Sequence, residues 1–554
     1  MILAFEFYYV SQNGVLEKLL KESAFDFGIS HKIIKENSLV TLYTQADEER
    51  LGAFADYLST ALPLSIFFKS SSVYVAEAMP SQEETFPSCT HDIVFTPKIL
   101  ALHDSLESPL YQCPFREMSA QKVDLFNGNE NIASANETQE YVKFYALIAD
   151  LIKEGKTITV EKSNCHYTIG QIELLSSLSS LEGIDIVATD LSVIERMVVI
   201  KENEIKALAS LERPAIRLKV NAFFAQKSIL PTSRVTMRLS DDFFLYHLSK
   251  ILFEQGIFFF FKTSKPLCDT EYKITLPETA IAPLQISVFE NGEIVILEGS
   301  DYASEQLKQG LDKFEEPAHG VFVSIMQEHH FFETTSSCFY LSRTHSDRIM
   351  HYSKEHGMLN FVEFPLPLSF EELFAEIRRS SPSALRLVEN FEAQFPEIYA
   401  KALACVIPPH LPQSIYSLWK IVAIILGLSD NFDHAAEQLM ENAEDFGGQK
   451  GPRMDYYLQK QDALSSDFDY VRLMRSAMSY KLAGTDDTTL SFGLMESLAY
   501  FLSDTADAHK ENLLTEKIAL AGSLFGYKRL SELVIKNIKP NHTICFNKEL
   551  PIDR

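Results

Sequence analysis

Between Glu328 and His356 the chain carries Glu328, His329, His330, Glu333, Cys338, His345, Asp347, His351, Glu355 and His356, its densest run of groups with lone pairs to offer a metal. Imidazoles and carboxylates together suit a transition metal such as nickel or zinc. His351 and Glu355 share one face if the segment is helical, a spacing at which metal ligands often meet. The plainer reading is a polar, partly exposed face that binds no metal. Cys165 and Cys338 are candidate nucleophiles, but neither has a paired base nearby in sequence, and such thiols are more often buried and inert. Glu17 and Lys18 follow Gly14 closely. They read either as an anion-facing pair or as two solvated helix residues.

The chain that must position these groups has 554 residues, enough for several domains with large cores. Its formal net charge of −26 argues against a nucleic-acid-binding surface, which needs clustered Lys and Arg, and equally against attraction to anionic membranes. That balance favours solubility and a basic protein partner. Seven cysteines, at 89, 113, 165, 268, 338, 405 and 545, never form a C-x-x-C pair. Zinc ribbons and thioredoxin-like motifs are therefore excluded, and a reduced, cytoplasmic setting is expected. MILAFEFYYV at the N-terminus lacks a basic start and reads as a strand rather than a signal peptide. The apolar run from Trp419 to Leu428 is too short to span a bilayer and is interrupted by Lys420, so no membrane insertion is expected.

Residues 1–80 read as strand, helix, strand, helix, strand. The first helix, Gly14 to Phe27, puts Leu16, Leu19, Leu20 and Phe25 at spacings near three and four, LVTLYTQ alternates as a strand, and Glu48 to Leu62 forms the second helix. A proline-punctuated stretch follows to about residue 136, ending in the polar linker NGNENIASANET. Beyond it, helices alternate with the apolar strands TITV, IDIVAT, MVVI, AIRLKV and GIFFFFKT. Phe258 to Phe261 predict a strand buried on both faces. From about residue 315 strands mix with long amphipathic helices up to a last βα unit.

Two C-terminal segments carry a family resemblance. One is SIYSLWKIVAIILGL, Ser414 to Leu428, followed by FDHAAEQLMENA. The other is KIALAGSLFGYKRLSELVIKNI, Lys517 to Ile538, followed by ELPID, Glu549 to Asp553. Both resemble the last domain of HypF, the carbamoyltransferase that helps make the cyanide ligands of nickel–iron hydrogenases. IDIVATDLSVIERMVVIKENEIKALASLERPAIRL, Ile184 to Leu218, is similar to the YrdC-like domain of that family, with Arg213 and Pro214 at its Arg-Pro. YQCPF, Tyr111 to Phe115, resembles its R-R-Y-x-Y-P-F zinc-finger stretch. The resemblance implies a multidomain α/β protein. It comprises an acylphosphatase-like α+β sandwich over 1–80, a linker with a zinc-finger remnant over 81–136 and a YrdC-like domain over 137–305. An actin-like (ASKHA-type), carbamoyltransferase-like domain over 306–554 completes it, truncated at its end.

The same resemblance implies that the family's sites are eroded. Its S-G-G-V-F-Q-N phosphate cradle has become Ala521 to Tyr527, with Gly522 kept and Ser523 beside it. The zinc-finger cysteines correspond to Leu102, Ser105, Met118 and Gln121, which hold no zinc. Lys18 stands at the arginine of the acylphosphatase loop, beside Glu17, whose charge would repel an anion. The basic stretch of the YrdC-like domain corresponds to the neutral LLSSLSSLEG, Leu174 to Gly183. Thr344 and Arg348 fall at the two metal-binding histidines, with His345 one residue away, and Asp553 falls at the third ligand. The resemblance therefore implies a protein without catalytic residues, metal or cofactor. Its expected role is as an accessory in nickel–iron hydrogenase maturation, of the hydrogenase accessory HydE type and not the radical-SAM protein of that name. Its expected partner is a hydrogenase structural subunit or a maturation protein, and its oligomeric state stays open. An uncovered C-terminal strand would offer Ile544 and Phe546 as partner contacts. The alternatives are a divergent carbamoyl- or acyl-group transferase with relocated ligands, and a nickel or zinc metallochaperone built on the 328–356 segment.

Overall fold

The computed structural model describes residues 1–84, 89, 95–104, 123–136, 138–163, 165–178, 180–266, 271–276, 284–460 and 466–554. They form two compact units, one of residues 1–288 with 298–304 and one of residues 289–297 with 305–554.

The first unit begins with β1 (Ile2–Tyr9), α1 (Val15–Phe27), β2 (Ser30–Glu36), β3 (Leu39–Gln45), α2 (Glu48–Ala61) and β4 (Phe68–Val75). The strands form an antiparallel sheet in the order β2-β3-β1-β4. Alternation along β1 turns Phe5 and Phe7 to the side covered by the helices, where Phe5 meets Phe54 of α2 edge-on. α1 ends at Gly28, whose φ of 69° satisfies the last carbonyls. β2 is an element that the sequence pattern did not reveal, because S-H-K-I-I-K-E buries only Ile33 fully.

The rest of this unit contains α3 (Pro97–Asp104), β5 (Val123–Asn127), β6 (Glu130–Ala135), α4 (Thr138–Lys153), β7 (Ile158–Glu161), β8 (His166–Gln171), β9 (Ile184–Ala188), β10 (Val198–Val199) and α5 (Glu202–Leu208). It continues through β11 (Ala215–Val220), α6 (Ala222–Ala225), β12 (Arg234–Arg238), α7 (Phe243–Glu254), β13 (Phe259–Thr263), β14 (Tyr272–Thr275) and β15 (Gln285–Val288). Within the unit the strand order is β15-β11-β12-β9-β13-β8-β7-β14-β5-β6, with β10 against β11. Phe259, Phe260 and Phe261 of β13 are buried on both faces, as their run of aromatic residues requires, whereas Phe258 precedes the strand and is half-buried.

The second unit contains β16 (Ile294–Glu298), α8 (Glu305–Leu311), α9 (Pro317–Glu328), β17 (Ser336–Tyr340), β18 (Arg348–Ser353), β19 (Gly357–Glu363), α10 (Phe370–Ser380), α11 (Pro382–Gln394), α12 (Pro396–Ala404) and α13 (Ile415–Leu426). After these come α14 (Ala435–Asp445), β20 (Leu458–Lys460), β21 (Ser466–Phe468), α15 (Tyr470–Leu482), α16 (Asp487–Leu513), β22 (Lys517–Ala521), α17 (Lys528–Ile538) and β23 (Thr543–Cys545). Its sheet runs β20-β21-β19-β18-β17-β22-β23, with β17, β22 and β23 parallel. α13 is buried along almost its whole length, and Trp419 at its centre donates to Tyr456 Oη at 2.8 Å. No described helix is long and apolar enough to cross a membrane.

Candidate functional site

β17 and β22 are adjacent parallel strands, and the turns after them converge at their carboxyl ends, the place where open α/β sheets bind ligands. Gly522 has φ 95°, and a Cβ there would lie 2.1 Å from the Leu341 carbonyl oxygen, so only glycine closes this turn. Its N–H donates to Ile552 O at 2.7 Å. That bond draws in the segment that carries Asp553.

The Asp553 carboxylate, nearly buried, is surrounded by donors. One oxygen accepts from the Tyr340 hydroxyl and, at 2.9 Å, from Arg554 N. The other accepts from Ser342 Oγ at 2.6 Å and Ser523 N at 2.8 Å. His345 Nδ1 lies 3.5 Å from the carboxylate and 3.1 Å from Thr344 Oγ1. Ser523 Oγ accepts from Arg343 N at 3.0 Å. Asp347, fully buried, shapes the loop from behind by accepting from Ser342 N at 2.7 Å and from Ile415 N, at the start of α13, at 2.6 Å. Burial pushes its carboxyl well above the ordinary carboxylate range, although the two N–H groups work against that shift. Burial, and then the Asp553 charge, likewise raise the Tyr340 phenol, which keeps it a donor.

The metal that the family resemblance implies does not fit these residues. A carboxylate has about four lone-pair positions, and four protein donors already occupy those of Asp553. The other side chains that face it are hydroxyls and a single imidazole, and the Asp347 carboxylate behind the loop is turned to the N–H groups of Ser342 and Ile415, where a transition metal needs several free imidazole, thiolate or carboxylate donors. Thr344, His345, Gly522, Ser523 and Asp553 lie together at this end of the sheet. Arg348 does not join them: its guanidinium turns to Glu316 at 2.8 Å and Glu363 at 3.5 Å.

The ligand-rich 328–356 segment is dispersed, and its helical reading is overturned. Residues 348–363 form the β18–β19 hairpin, so His351 sits in a strand and Glu355 in the turn. His351 and His509 are buried around Ser337 Oγ, at 3.2 and 2.8 Å. Burial lowers both imidazoles, His509 to about 4. Glu328 accepts from Lys548 N, Glu549 N and Leu550 N at 2.8, 3.0 and 3.3 Å. Among the described residues no group of three or more His, Cys, Asp or Glu is placed to hold a metal. Cys338 is fully buried, and burial raises its thiol far above the ordinary value. Cys165 is exposed, contrary to its reading as a buried thiol.

Of the partner contacts expected at Ile544 and Phe546, that of Phe546 is corrected. Phe546 is 2% exposed and its ring packs 5.8 Å from that of Phe289, while Ile544 is half-buried beside the core. Leu550 and Ile552 are buried too. The segment after β23 is core.

In the first unit Glu17 is not solvated: it is fully buried and ion-paired with Lys35 of β2. Val15 N, at the start of α1, donates to Asn13 Oδ1 at 3.0 Å. Asn13 Nδ2 donates to Tyr302 O at 3.1 Å. Lys18 is half-buried. Arg213 adopts φ 47° and lays its guanidinium 4.6 Å over Phe95. Burial lowers its pKa. Ser105, Met118 and Gln121, like Tyr111 to Phe115, lie outside the described residues, and only the helical backbone of Leu102 is described.

One cluster escaped the sequence reading. Arg238 pairs with Asp185 at 2.7 Å and Asp241 at 2.5 Å, Lys262 with Asp241 at 2.6 Å, and Lys162 with Asp242 at 2.8 Å. Burial opposes charge on Asp241, but Lys262 and Arg238 hold its carboxyl well below the ordinary range. The cations are neutralised in place.

No protein-family profile matches the chain. The full-length crystal structure of HypF in its phosphate- and nucleotide-bound form covers 100% of this chain and 96% of its own, with TM-score 0.64 and 12% identity. The crystal structure of T. kodakarensis HypF covers 99% and 96%, with TM-score 0.65 and 12% identity. The chain has the HypF fold. It is also similar to the protein named HydE of Wolinella succinogenes, 25% identical over 533 residues that span 92% of this chain and 91% of that protein. On this HypF-like fold, the Asp553 cluster stands where the turns after two parallel strands meet.

Proposed function

We propose that this chain is a non-catalytic, HypF-like accessory protein of nickel–iron hydrogenase maturation. It acts in the cytoplasm by binding a hydrogenase structural subunit or a maturation protein. The likeness to HydE over nearly the whole of both chains supports the maturation role. One observation carries the loss of catalysis: the Asp553 carboxylate, at the end of the sheet where a ligand would sit, spends its lone pairs on protein donors. The paired cations around Arg238 and the engaged loop at Asn13 support the same reading, since neither presents unneutralised charge to an anion.

A tagged full-length chain, purified from cells that make a nickel–iron hydrogenase, should bring down a hydrogenase subunit or a maturation protein in near-stoichiometric amount. The complex should form without added nucleotide. Recovery of the chain free of any hydrogenase-related protein, across the stages of hydrogenase assembly, would overturn the proposal.

A further inference from the structure

The four-stranded N-terminal sheet is finished at one edge only. At β2, the Glu84 carboxylate accepts from the outer backbone at Ile33 N, 2.9 Å away. At the other edge, all residues of β4 are exposed, and among the described residues it pairs with β1 alone. The register tells which of its backbone groups point outward. Ala76 N donates to Ile2 O and Phe67 O accepts from Val10 N. Ser70, Ser72 and Tyr74, opposite Tyr8, Glu6 and Ala4, therefore turn their N–H and C=O groups to β1. Ser71, Val73 and Val75 turn theirs away from it, a row of donors and acceptors suited to another strand.

Side chains add a preference. Ser70, Ser72 and Tyr74 stand on the same face as Glu6 and Tyr8, and Tyr43 lies across Ala4 from Tyr74 with the two hydroxyls 3.5 Å apart. Glu6 is half-buried there and accepts from Ser72 Oγ at 2.8 Å. A strand added to β4 would lie about 4.8 Å further out. From it a Lys or Arg side chain passes over Ser70 and Ser72, which are too small to block it, and reaches Glu6 with tyrosine rings beside its stem. A carboxylate in that place meets Glu6 and is repelled.

We propose that β4 receives an extended segment of another protein as a fifth strand, with Lys or Arg at the alternate positions that face Glu6. This deepens the protein-binding reading above and rests on it. A basic segment is favoured by the net charge of −26, which by the same token repels a second copy of the chain.

The test titrates a short synthetic peptide of alternating valine and arginine into the full chain, beside a control with glutamate for arginine. The arginine peptide should bind and the control should not. Val73→Pro removes an outward N–H without breaking a bond to β1 and should weaken binding about tenfold or more. Val73→Lys should weaken it as well, which keeps the test valid if the proline variant folds poorly. Glu6→Gln should weaken binding of the arginine peptide. Equal binding by all variants, or of both peptides, overturns the proposal. Concentration-dependent dimerisation abolished by Val73→Pro would assign the edge to a second copy and overturn it as well. If Val73→Pro leaves co-purification with a hydrogenase protein intact, the edge is wrong while the protein-binding role stands. If the peptide binds as described but no hydrogenase protein is recovered, the edge stands and the proposed function fails.

Discussion

The Asp553 cluster of the second unit and the Arg238 cluster of the first solve the same problem in opposite ways. Both hold polar groups with little access to water. At Asp553 one carboxylate is held by hydroxyl and backbone donors that carry no formal charge. Around Arg238, cations and carboxylates neutralise one another at 2.5–2.8 Å. The first arrangement depends on backbone geometry, through the Gly522 turn and the segment that follows β23. The second depends on sheet order, because β12, β9 and β13 lie side by side and set Asp185 opposite Lys262. A site of the first kind is lost when one loop moves, and one of the second kind is lost when one charge is removed.

The largest effect should come from deleting Asn541 to Arg554. That removes β23 together with Phe546, Leu550 and Ile552, each at most 2% exposed. At about 1.5–3 kcal/mol for each buried side chain, the loss is comparable with the ~5–15 kcal/mol that stabilises a whole domain. The second unit should unfold while the first, with its Arg238 cluster, keeps its thermal transition. Calorimetry checks this, and survival of both transitions would separate Asp553 from the stability of its unit.

Arg238→Leu should come next. It leaves the half-buried Asp185 and Asp241 with fewer partners, a change that costs at most the about 3–5 kcal/mol typical of breaking a buried pair. Asp553→Asn should cost less, roughly 1.5–3 kcal/mol, because the amide oxygen still accepts from one pair of donors and only the other pair faces the NH2 group. Denaturant titration of both variants gives the order. Reversal of that order would mean that the neutral cage is the stronger of the two.

How much of this was legible in the sequence depended on the distance between partners. Strands such as AIRLKV and the α13 helix were visible because their patterns are local, and the Gly522 turn was visible as a family motif. The meeting of Thr344, His345, Ser523 and Asp553 came from that motif as well. Glu17 was misread because its partner Lys35 lies on β2, the strand whose polar sequence concealed it. His351 and Glu355 have a spacing that suits a helix, but pairing with the neighbouring strands β17 and β19 makes the segment a hairpin. Lys162, Asp185, Arg238, Asp241 and Lys262 are separated by up to a hundred residues, and only the strand order brings them together. Phe546 could not be recognised as core without Phe289, far away in sequence.

The smallest effect concerns pH within the second unit. His509, which burial holds at about 4, binds fewer protons folded than unfolded, so its contribution is present above pH ~6.5 and is lost as pH falls through about 4. Glu328, which burial holds at about 7 against three N–H donors, has the opposite sign. Its contribution is present below pH ~4.3 and is lost as pH rises through about 7. The two slopes offset each other where they overlap. Glu328→Gln should therefore make the unit lose stability more steeply on acidification, and His509→Gln should make it lose less. Thermal melts at several pH values check both signs.

The central claim is that protein donors have taken over the lone pairs of Asp553 and left no group-transfer site. Turnover of carbamoyl phosphate by the full chain, with ATP and magnesium present, tests it most directly. The account predicts a rate equal to the buffer blank for the natural chain and for Asp553→Asn alike. A rate well above the blank that Asp553→Asn abolishes would contradict it, and the divergent-transferase reading would take its place.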